Sequence, residues 1–443
     1  MSGAANAFPQ AISRLQATPN GHYPGWLKAL RRSAFQWIFE RGFPTARDDA
    51  WKSTRLAPIL KVPFEPAEPG KSQRLTSSAI DQLAADLGGP RLVFVNGYFS
   101  AELSSLKKLP AGAKVTNLAS VLAEEGESLE SLLSRPFRDH PDGFRALNLA
   151  LAEDGAFIRI PAKTTIEAPI HLVFLSDAGE RPLVSHPRSL VLAGSGSRAT
   201  IVETYAGIPG EVYLTNAVTE VVLEEGATVD HYQFQNENQK AFHVGLLSAR
   251  QGRGSRFSAH SVALGSAIAR HEVKVALEAP GAEVVLNGLY MPLNDQHLDN
   301  PTTIEHAAPH CTSRQLYKGV IDGRGRGVFD GRIVVRPGAM KTDASQTNKN
   351  LLLSESAQAD TRPRLEIFAD DVKCAHGAAV GQLDQGAVFY LRSRGIPEKA
   401  ARSLLIYAFA SEMLDLIRVE ALRSQIKRMV AGRLPQGGVG VAA

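Results

Sequence analysis

Cysteine is scarce in this chain, since only Cys311 and Cys374 occur among its 443 residues. Two cysteines cannot form the disulfide framework that stabilises small secreted domains, so a reducing cytoplasm is the expected compartment. Residues 1–10 lack the charged start and the apolar stretch of a signal peptide. Nor does the sequence contain a run of about 18 apolar residues, which a membrane-spanning helix needs.

A strong excess of either charge is also lacking. The net charge is +4, with 44% hydrophobic and 21% charged residues, which is ordinary for a globular protein. Nucleic-acid binding depends on clustered basic residues, and the sequence has no dense basic run. The phosphate-binding pattern Gly-x-x-x-x-Gly-Lys-Ser/Thr is missing, and the glycines of residues 323–327 do not follow the dinucleotide-binding pattern. We therefore expect this chain to bind neither nucleic acid, membrane nor nucleotide.

Composition and periodicity divide the chain into five regions. They are a flexible leader (1–22), a mixed α/β region (23–150), a β region (151–380), a helical region (381–431) and a glycine-rich tail expected to be disordered (432–443). Apolar residues three and four apart predict a helix around Trp26 to Ile38. Asp384 is expected to cap the first helix of the helical region.

Glycine-centred turns recur through the β region at a nearly constant spacing. Turns at Gly196, Gly226, Gly254 and Gly281 are 30, 28 and 27 residues apart, and Gly338 follows after 57, about twice that spacing. Such a repeat without helical periodicity is typical of stacked coils, in which each coil buries its neighbour's apolar face. We therefore predict a mainly β protein built on a parallel β-solenoid. A β-sandwich with coincidentally spaced turns is the alternative.

The stretch from Asp370 to Gln382 holds the most informative side chains. On a strand, Cys374 and His376 would share one face, roughly 6–7 Å apart along the chain. A thiolate and an imidazole on one face are suitable ligands for zinc or for iron-sulfur chemistry. Two ligands leave a metal site incomplete, so the others would come from elsewhere in the chain or from another chain.

Two other interpretations of this pair stay open. One is a half-buried cysteine beside a structural histidine, since cysteine is among the most buried residue types. The other is a Cys–His nucleophile pair, although side chains two apart on a strand rarely reach the contact that activation needs. A second group, His306, His310 and Cys311, is predicted to form a turn, because Pro309 prevents the helix that would align its histidines.

Several segments of the sequence carry a resemblance to a known family. The most characteristic are Asp371–Ala378 and Phe389–Ile396, near the end of the β region. Further matching segments are Pro44–Thr45, Trp51–Lys52, Arg314–Val320, Gly327–Ile333 and Thr347–Leu353. Together these segments, spread over about residues 25–430, resemble the SufB/SufD family of iron-sulfur cluster assembly proteins.

The resemblance implies a right-handed parallel β-helix between an N-terminal helical region and C-terminal helices. It implies a non-catalytic scaffold subunit that pairs with SufB through the β-helix and binds the ATPase SufC through the C-terminal helices. The broad apolar face of those helices then supplies the candidates for SufC docking, which are Tyr390, Pro397, Leu405, Tyr407, Phe409 and Met413. Whether the isolated chain pairs with itself, and whether the complex uses a flavin for iron reduction, stay open.

The resemblance also implies roles for residues near the end of the β region. His376 matches the family histidine implicated in cluster formation, and Cys374 matches its neighbour, so the expected cargo is a transient iron-sulfur cluster or iron shared with SufB. SufB carries a sulfur-accepting cysteine in the segment that matches Thr347–Leu353. Here Asn348 stands at its place, which favours the branch of the family without that cysteine and argues against an autonomous sulfur-accepting role.

Two other functional classes compete with this hypothesis. A β-helical carbohydrate-active enzyme would need paired acids such as Asp370 and Asp371, but adjacent residues on a strand point to opposite faces. A structural adaptor without any metal role is the other alternative.

Overall fold

The computed structural model describes residues 24–70, 74–139 and 141–434. The predicted leader (1–22) and residues 435–443 of the predicted tail lie outside these ranges. The α-helices are α1 Gly25–Arg41, α2 Ala57–Leu60, α3 Ser77–Leu83, α4 Leu118–Glu125, α5 Glu130–Asp139, α6 Gly143–Leu151, α7 Gln385–Ser393, α8 Glu398–Leu414 and α9 Glu420–Gly432, with short 3-10 helices at Asp49–Trp51 and Gly126–Leu129. None of the described helices is long and apolar enough to cross a membrane.

Strands fill the middle of the chain. They are β1 Glu65–Pro66, β2 Arg91–Val95, β3 Tyr98–Phe99, β4 Lys114–Asn117, β5 Ala156–Ile160, β6 Thr165–Ser176, β7 Leu183–Ser185, β8 Arg188–Ala193, β9 Arg198–Gly207, β10 Tyr213–Leu223, β11 Thr228–Gln235, β12 Phe242–Gln251, β13 Arg256–Ala263, β14 Ile268–Leu277, β15 Glu283–Tyr290, β16 His297–His306, β17 Thr312–Ile321, β18 Arg326–Val335, β19 Asp343–Leu352, β20 Gln358–Ile367 and β21 Lys373–Gln382.

Consecutive strands from β8 onward alternate between two sheets. Sheet A has the order β20-β18-β16-β14-β12-β10-β8-β5-β4, and sheet B has the order β21-β19-β17-β15-β13-β11-β9-β6-β2-β3. All pairings among strands β5 to β21 are parallel. This arrangement confirms the predicted solenoid, with about eight turns, and excludes the β-sandwich.

A column of turn residues with left-handed backbone explains the repeat in the sequence. Its members lie 27 to 31 residues apart and have φ between 55° and 75°: Gly196, Gly226, Gly254, Gly281, His310, Lys341 and Asp371. In each of these turn residues except Asp371, the backbone N–H donates to a carbonyl of the next coil. Examples are His310 to Met340 at 2.9 Å and Lys341 to Asp371 at 2.9 Å. The double spacing before Gly338 thus contains a turn without glycine, at His310. The column then continues at Lys341 and not at the predicted Gly338, which lies in the same connection between β18 and β19.

Glycine is used in this column for its backbone freedom. We expect Gly226→Ala to lower the free energy of unfolding by about 1–2 kcal/mol, since an L side chain is strained at positive φ. Steric contact adds little, because the added Cβ would lie 3.9 Å from its nearest neighbour, the Cα of Gly196. Gly226→Asn is the control, since asparagine tolerates this conformation better. Equal losses for both variants in denaturant unfolding would contradict the explanation.

The two ends of the solenoid differ. At the start, β4 pairs antiparallel with β5, and the β2–β3 hairpin lies beside β6. At the other end, β20 and β21 are the last strands of their sheets, with no further neighbour among the described residues. The interior between the sheets holds a buried apolar core, with residues such as Ile201, Val273 and Phe329, beside buried polar side chains such as Gln315 and Asn348. The last coil is therefore open toward solvent.

Helical segments cover the outer face of each sheet. Sheet A is covered by α1, α6 and the segment between them, where Phe64 and Phe144 pack against strand residues such as Phe242. Sheet B is covered by α8 and α9, where Ile406 and Ile426 join a buried cluster with strand residues. The described helices thus cover the outer faces of the sheets and not the open end of the solenoid.

Candidate functional site

The predicted ligand pair lies on β21, the last strand of sheet B. In the parallel register with β19, Cys374 is opposite Ala344 and His376 is opposite Gln346. Ala344 and Gln346 are each 1% exposed and face the interior. Cys374 is half-buried and packs against the interior core, whereas His376 is exposed. The pair therefore continues the inward-facing column of sheet B to the open end.

The Cys374 thiol lies in surroundings that favour its neutral form. Burial raises the pKa of Cys374, and the nearby Asp343 carboxylate raises it further, while a backbone hydrogen bond with Ala344 lowers it. A cysteine with a raised pKa is a poor nucleophile at neutral pH. Metal binding would instead displace its proton, because the metal ligand is the thiolate.

The residues that the structure describes form no closed metal site around this pair. Within the parts of the chain that the structure describes, no group of three or more His, Cys, Asp or Glu side chains could hold a metal ion. The other candidate group is a turn, as predicted. His310 is one of the left-handed turn residues, the buried Cys311 Sγ donates to the carbonyl of Ala279 at 3.4 Å, and His306 Nε2 lies 2.9 Å from Ser313 Oγ.

Asparagine at position 348 lies inside the solenoid. Its side chain is fully buried on β19, and its Nδ2 donates to Tyr290 Oη at 3.0 Å and to the carbonyl of Tyr317 at 3.1 Å. Asn350 donates in turn to Asn348 Oδ1 at 2.7 Å. Strand alternation alone could not reveal this polar interior, since polar residues occupy both faces of β19.

Asp371 has a structural explanation. It occupies the last left-handed position of the turn column, and its carboxylate forms an ion pair with Lys341. Its place at a turn, before β21 begins, differs from the strand position considered for an acid pair.

Comparisons with known proteins agree with this architecture. The family described as SUF system FeS cluster assembly, SufBD core domain, matches residues 174–409, and the SufBD protein N-terminal region matches residues 10–172. The chain belongs to the SufBD family of iron-sulfur cluster assembly proteins.

Relatives along nearly the whole length of this SufBD-family chain support the assignment. A SufBD family protein of Synechocystis is 34% identical, over 94% of this chain and 93% of its own. The iron-sulfur cluster assembly protein SufD of Escherichia coli is 32% identical, over 91% and 92%. The chloroplastic protein ABCI7 of Arabidopsis thaliana is 31% identical, over 95% and 88%. The similarity to SufD agrees with the branch expected from Asn348.

The predicted docking residues of this SufBD-family chain fall into an exposed, a half-buried and a buried group. Tyr390 on α7 is 57% exposed, and Pro397 is exposed at the residue before α8. Leu405, Tyr407 and Phe409 on α8 are half-buried against the sheet B cluster.

As predicted, Asp384 caps α7, because its side chain accepts from the backbone N–H groups of Gly386 and Ala387.

The burial of Met413 removes this residue from the predicted docking set. It is only 3% exposed and belongs to the cluster between α8, α9 and sheet B. The apolar face of α8 is broad because it packs on the solenoid, so Met413 does not lie on an exposed docking surface. The neighbouring Phe389, which the prediction did not include, is 70% exposed.

A buried lysine strengthens this packing. Lys318 on β17 is 2% exposed, and its Nζ donates to the carbonyl of Phe409 at 3.1 Å. The same ammonium lies 4.4 Å from the centre of the Phe409 ring and pairs with Glu412. Helix α8 is therefore fixed to sheet B by polar as well as apolar contacts.

Proposed function

We propose that this chain is a non-catalytic scaffold subunit that assembles iron-sulfur clusters in the cytoplasm together with SufB and SufC subunits. The observation that carries the proposal is the open end of the solenoid, where Cys374 and His376 extend the inward-facing column of sheet B. A half-site of this kind is completed when a partner supplies further ligands. The cluster, or its iron, is then the cargo of the complex.

The shape of the open end supports pairing with another solenoid. The outer backbone edges of β20 and β21 pair with no other strand that the structure describes. Proteins usually protect such edges or use them for pairing with another chain. Exposed apolar side chains lie beside these edges: Ile367 is 42%, Phe368 58% and Val380 47% exposed. We propose that SufB covers this end, and that a second copy of the chain competes for it when SufB is absent.

The chemistry of the pair suits cargo held only for a time. Thiolate and imidazole both bind iron and zinc. Because the pKa of Cys374 is raised, the unloaded site keeps its proton, and loading requires proton release. A site of two ligands from this subunit gives up its cargo more readily than a closed site within one chain.

Helix α7 and the residues after it supply the docking surface for the ATPase SufC. Phe389 and Tyr390 are its exposed aromatic residues. The Arg394 guanidinium lies 5.3 Å from the Tyr390 ring centre, which adds a cation to the surface. Exposed aromatics with a neighbouring arginine are typical of residues that dominate binding energy at protein interfaces.

Co-purification with SufB and SufC followed by anaerobic cluster reconstitution tests the proposal. We expect His376→Ala to leave the complex assembled and to reduce the cluster formed roughly tenfold, as loss of a metal-site residue often does. His310→Asn is the matched control, because His310 is exposed on a turn that asparagine also tolerates. Normal cluster formation by His376→Ala would rule out the assignment of the site.

A further inference from the structure

The side-chain amide of Gln346 is buried without hydrogen-bond partners. Gln346 is 1% exposed, and neither Nε2 nor Oε1 bonds to any residue that the structure describes. Folded proteins rarely leave a buried amide unsatisfied, because its lost hydration is not replaced. The unfavourable burial of the Gln346 amide therefore needs a functional explanation.

A glycine on the opposite sheet makes room for the amide. A Cβ at Gly331 of β18 would lie 1.5 Å from Gln346 Nε2 and 2.7 Å from Phe329 Cζ. The Gln346 side chain thus crosses the interior from sheet B to sheet A. Any larger residue at position 331 would displace it.

The preceding coil contains the same arrangement with its partner present. Gln315 is the register neighbour of Gln346, and Thr302 is the register neighbour of Gly331. In that coil Gln315 Nε2 donates to Thr302 Oγ1 at 2.6 Å. One coil nearer the open end, glycine replaces the threonine and the glutamine amide loses its acceptor.

Gln346 lies on the strand next to the candidate site. Gln346 is the register neighbour of His376 on the last strand, so their Cα atoms are separated by one strand spacing, about 4.8 Å. The hydroxyl of Thr361 on β20 likewise lacks a partner among the described residues. Gln346 and Thr361 therefore both carry buried polar atoms near the open end that lack partners among the described residues.

We propose that Gln346 is a positioning residue for the cargo, and that its amide N–H groups donate to sulfur of the iron-sulfur species held at His376. This inference rests on the proposed function of the open end. Sulfur of cargo held at the open end would give the buried amide the acceptor that it lacks. Hydrogen bonds to cluster sulfur stabilise its negative charge and tune the reduction potential of the cluster.

Gln346→Leu tests the inference through effects of opposite sign. Removing the unsatisfied amide is expected to raise the melting temperature of the isolated chain by about 1–2 °C. Cluster formation in the complex is expected to fall roughly tenfold, and the residual cluster should show a lower reduction potential. Gln315→Leu is the matched control, since it breaks the bond to Thr302 and should lower the melting temperature without changing cluster formation.

Gly331→Ala approaches the same amide from the other sheet. The added methyl group should displace Gln346 and reduce both stability and cluster formation. Combining Gly331→Ala with Gln346→Ala should restore stability, because the clash is gone, but not cluster formation. Recovery of cluster formation in the double variant would contradict a role for the amide.

The outcomes separate this inference from the proposed function. If His376→Ala is deficient while Gln346→Leu builds normal clusters, Gln346 has no role and the proposed function stands. If both variants build normal clusters, the site at the open end is wrong and the inference fails with it. A Gln346→Leu chain that is less stable but otherwise normal would show a purely structural glutamine.

Discussion

Replacing Arg188 with alanine is expected to lower the free energy of unfolding by about 3–5 kcal/mol at neutral pH, the usual cost of breaking a buried ion pair. Arg188 on β8 is 4% exposed and pairs with Glu220 on β10. Its guanidinium also donates to the carbonyl of Leu133 at 2.9 Å and to Asn148 Oδ1 at 3.0 Å. One side chain thus joins α5 and α6 to the solenoid.

The loss should depend on pH. Burial raises the pKa of Glu220 above its ordinary value of 4.5, while Arg188 acts to lower it. Without Arg188 the folded chain holds the Glu220 proton to a higher pH than before. A carboxyl whose pKa is higher in the folded chain favours folding below its unfolded pKa, and this advantage is lost as the pH rises through its folded pKa. Arg188→Ala should therefore be least harmful near pH 4.5, the ordinary pKa of the Glu220 carboxyl.

Denaturant unfolding of three variants checks this explanation. Arg188→Met with Glu220→Met should recover the part of the loss due to the unpaired carboxylate, leaving the hydrogen bonds to Leu133 and Asn148 missing. Arg159→Ala is the control, because its pair with Glu125 is 36% and 33% exposed and should contribute at most about 1 kcal/mol. A loss for Arg188→Ala that does not change with pH would refute the role of Glu220.

Met413→Ala and Tyr390→Ala are expected to act on different properties of the C-terminal helices. Met413 is buried between α8, α9 and sheet B, so its truncation should lower the free energy of unfolding by about 2–3 kcal/mol. Tyr390 is exposed and should leave stability unchanged, while its loss should weaken SufC binding at least roughly tenfold.

Thermal unfolding and a binding titration with SufC distinguish the two variants. The docking surface proposed for α7 would be refuted if Tyr390→Ala bound SufC with normal affinity. A Met413→Ala chain of normal stability but poor SufC binding would show that α8 leaves sheet B in the complex.

The solenoid was predictable because its turns repeat, but several details depend on three-dimensional context. Glycine marks four of the left-handed turns, whereas His310, Lys341 and Asp371 adopt the same backbone without a signal in residue type. The apolar pattern of α8 cannot show whether sheet or partner covers it, which is why Met413 was placed on the wrong surface. The shared face of Cys374 and His376 followed from their spacing on a predicted strand, whereas Gln346 and Gly331 come together only through the packing of the two sheets.

The stacked coils also act as a ruler. Each coil adds one strand spacing of about 4.8 Å. The seven steps from β5 to β20 therefore set roughly 34 Å between the start of the solenoid and its open end. Loss or gain of one whole coil of about 30 residues would change this length by one strand spacing and leave the open end unaltered. Loss of a single residue within a strand would instead turn its inward side chains outward. The length of the solenoid can therefore change only by whole coils.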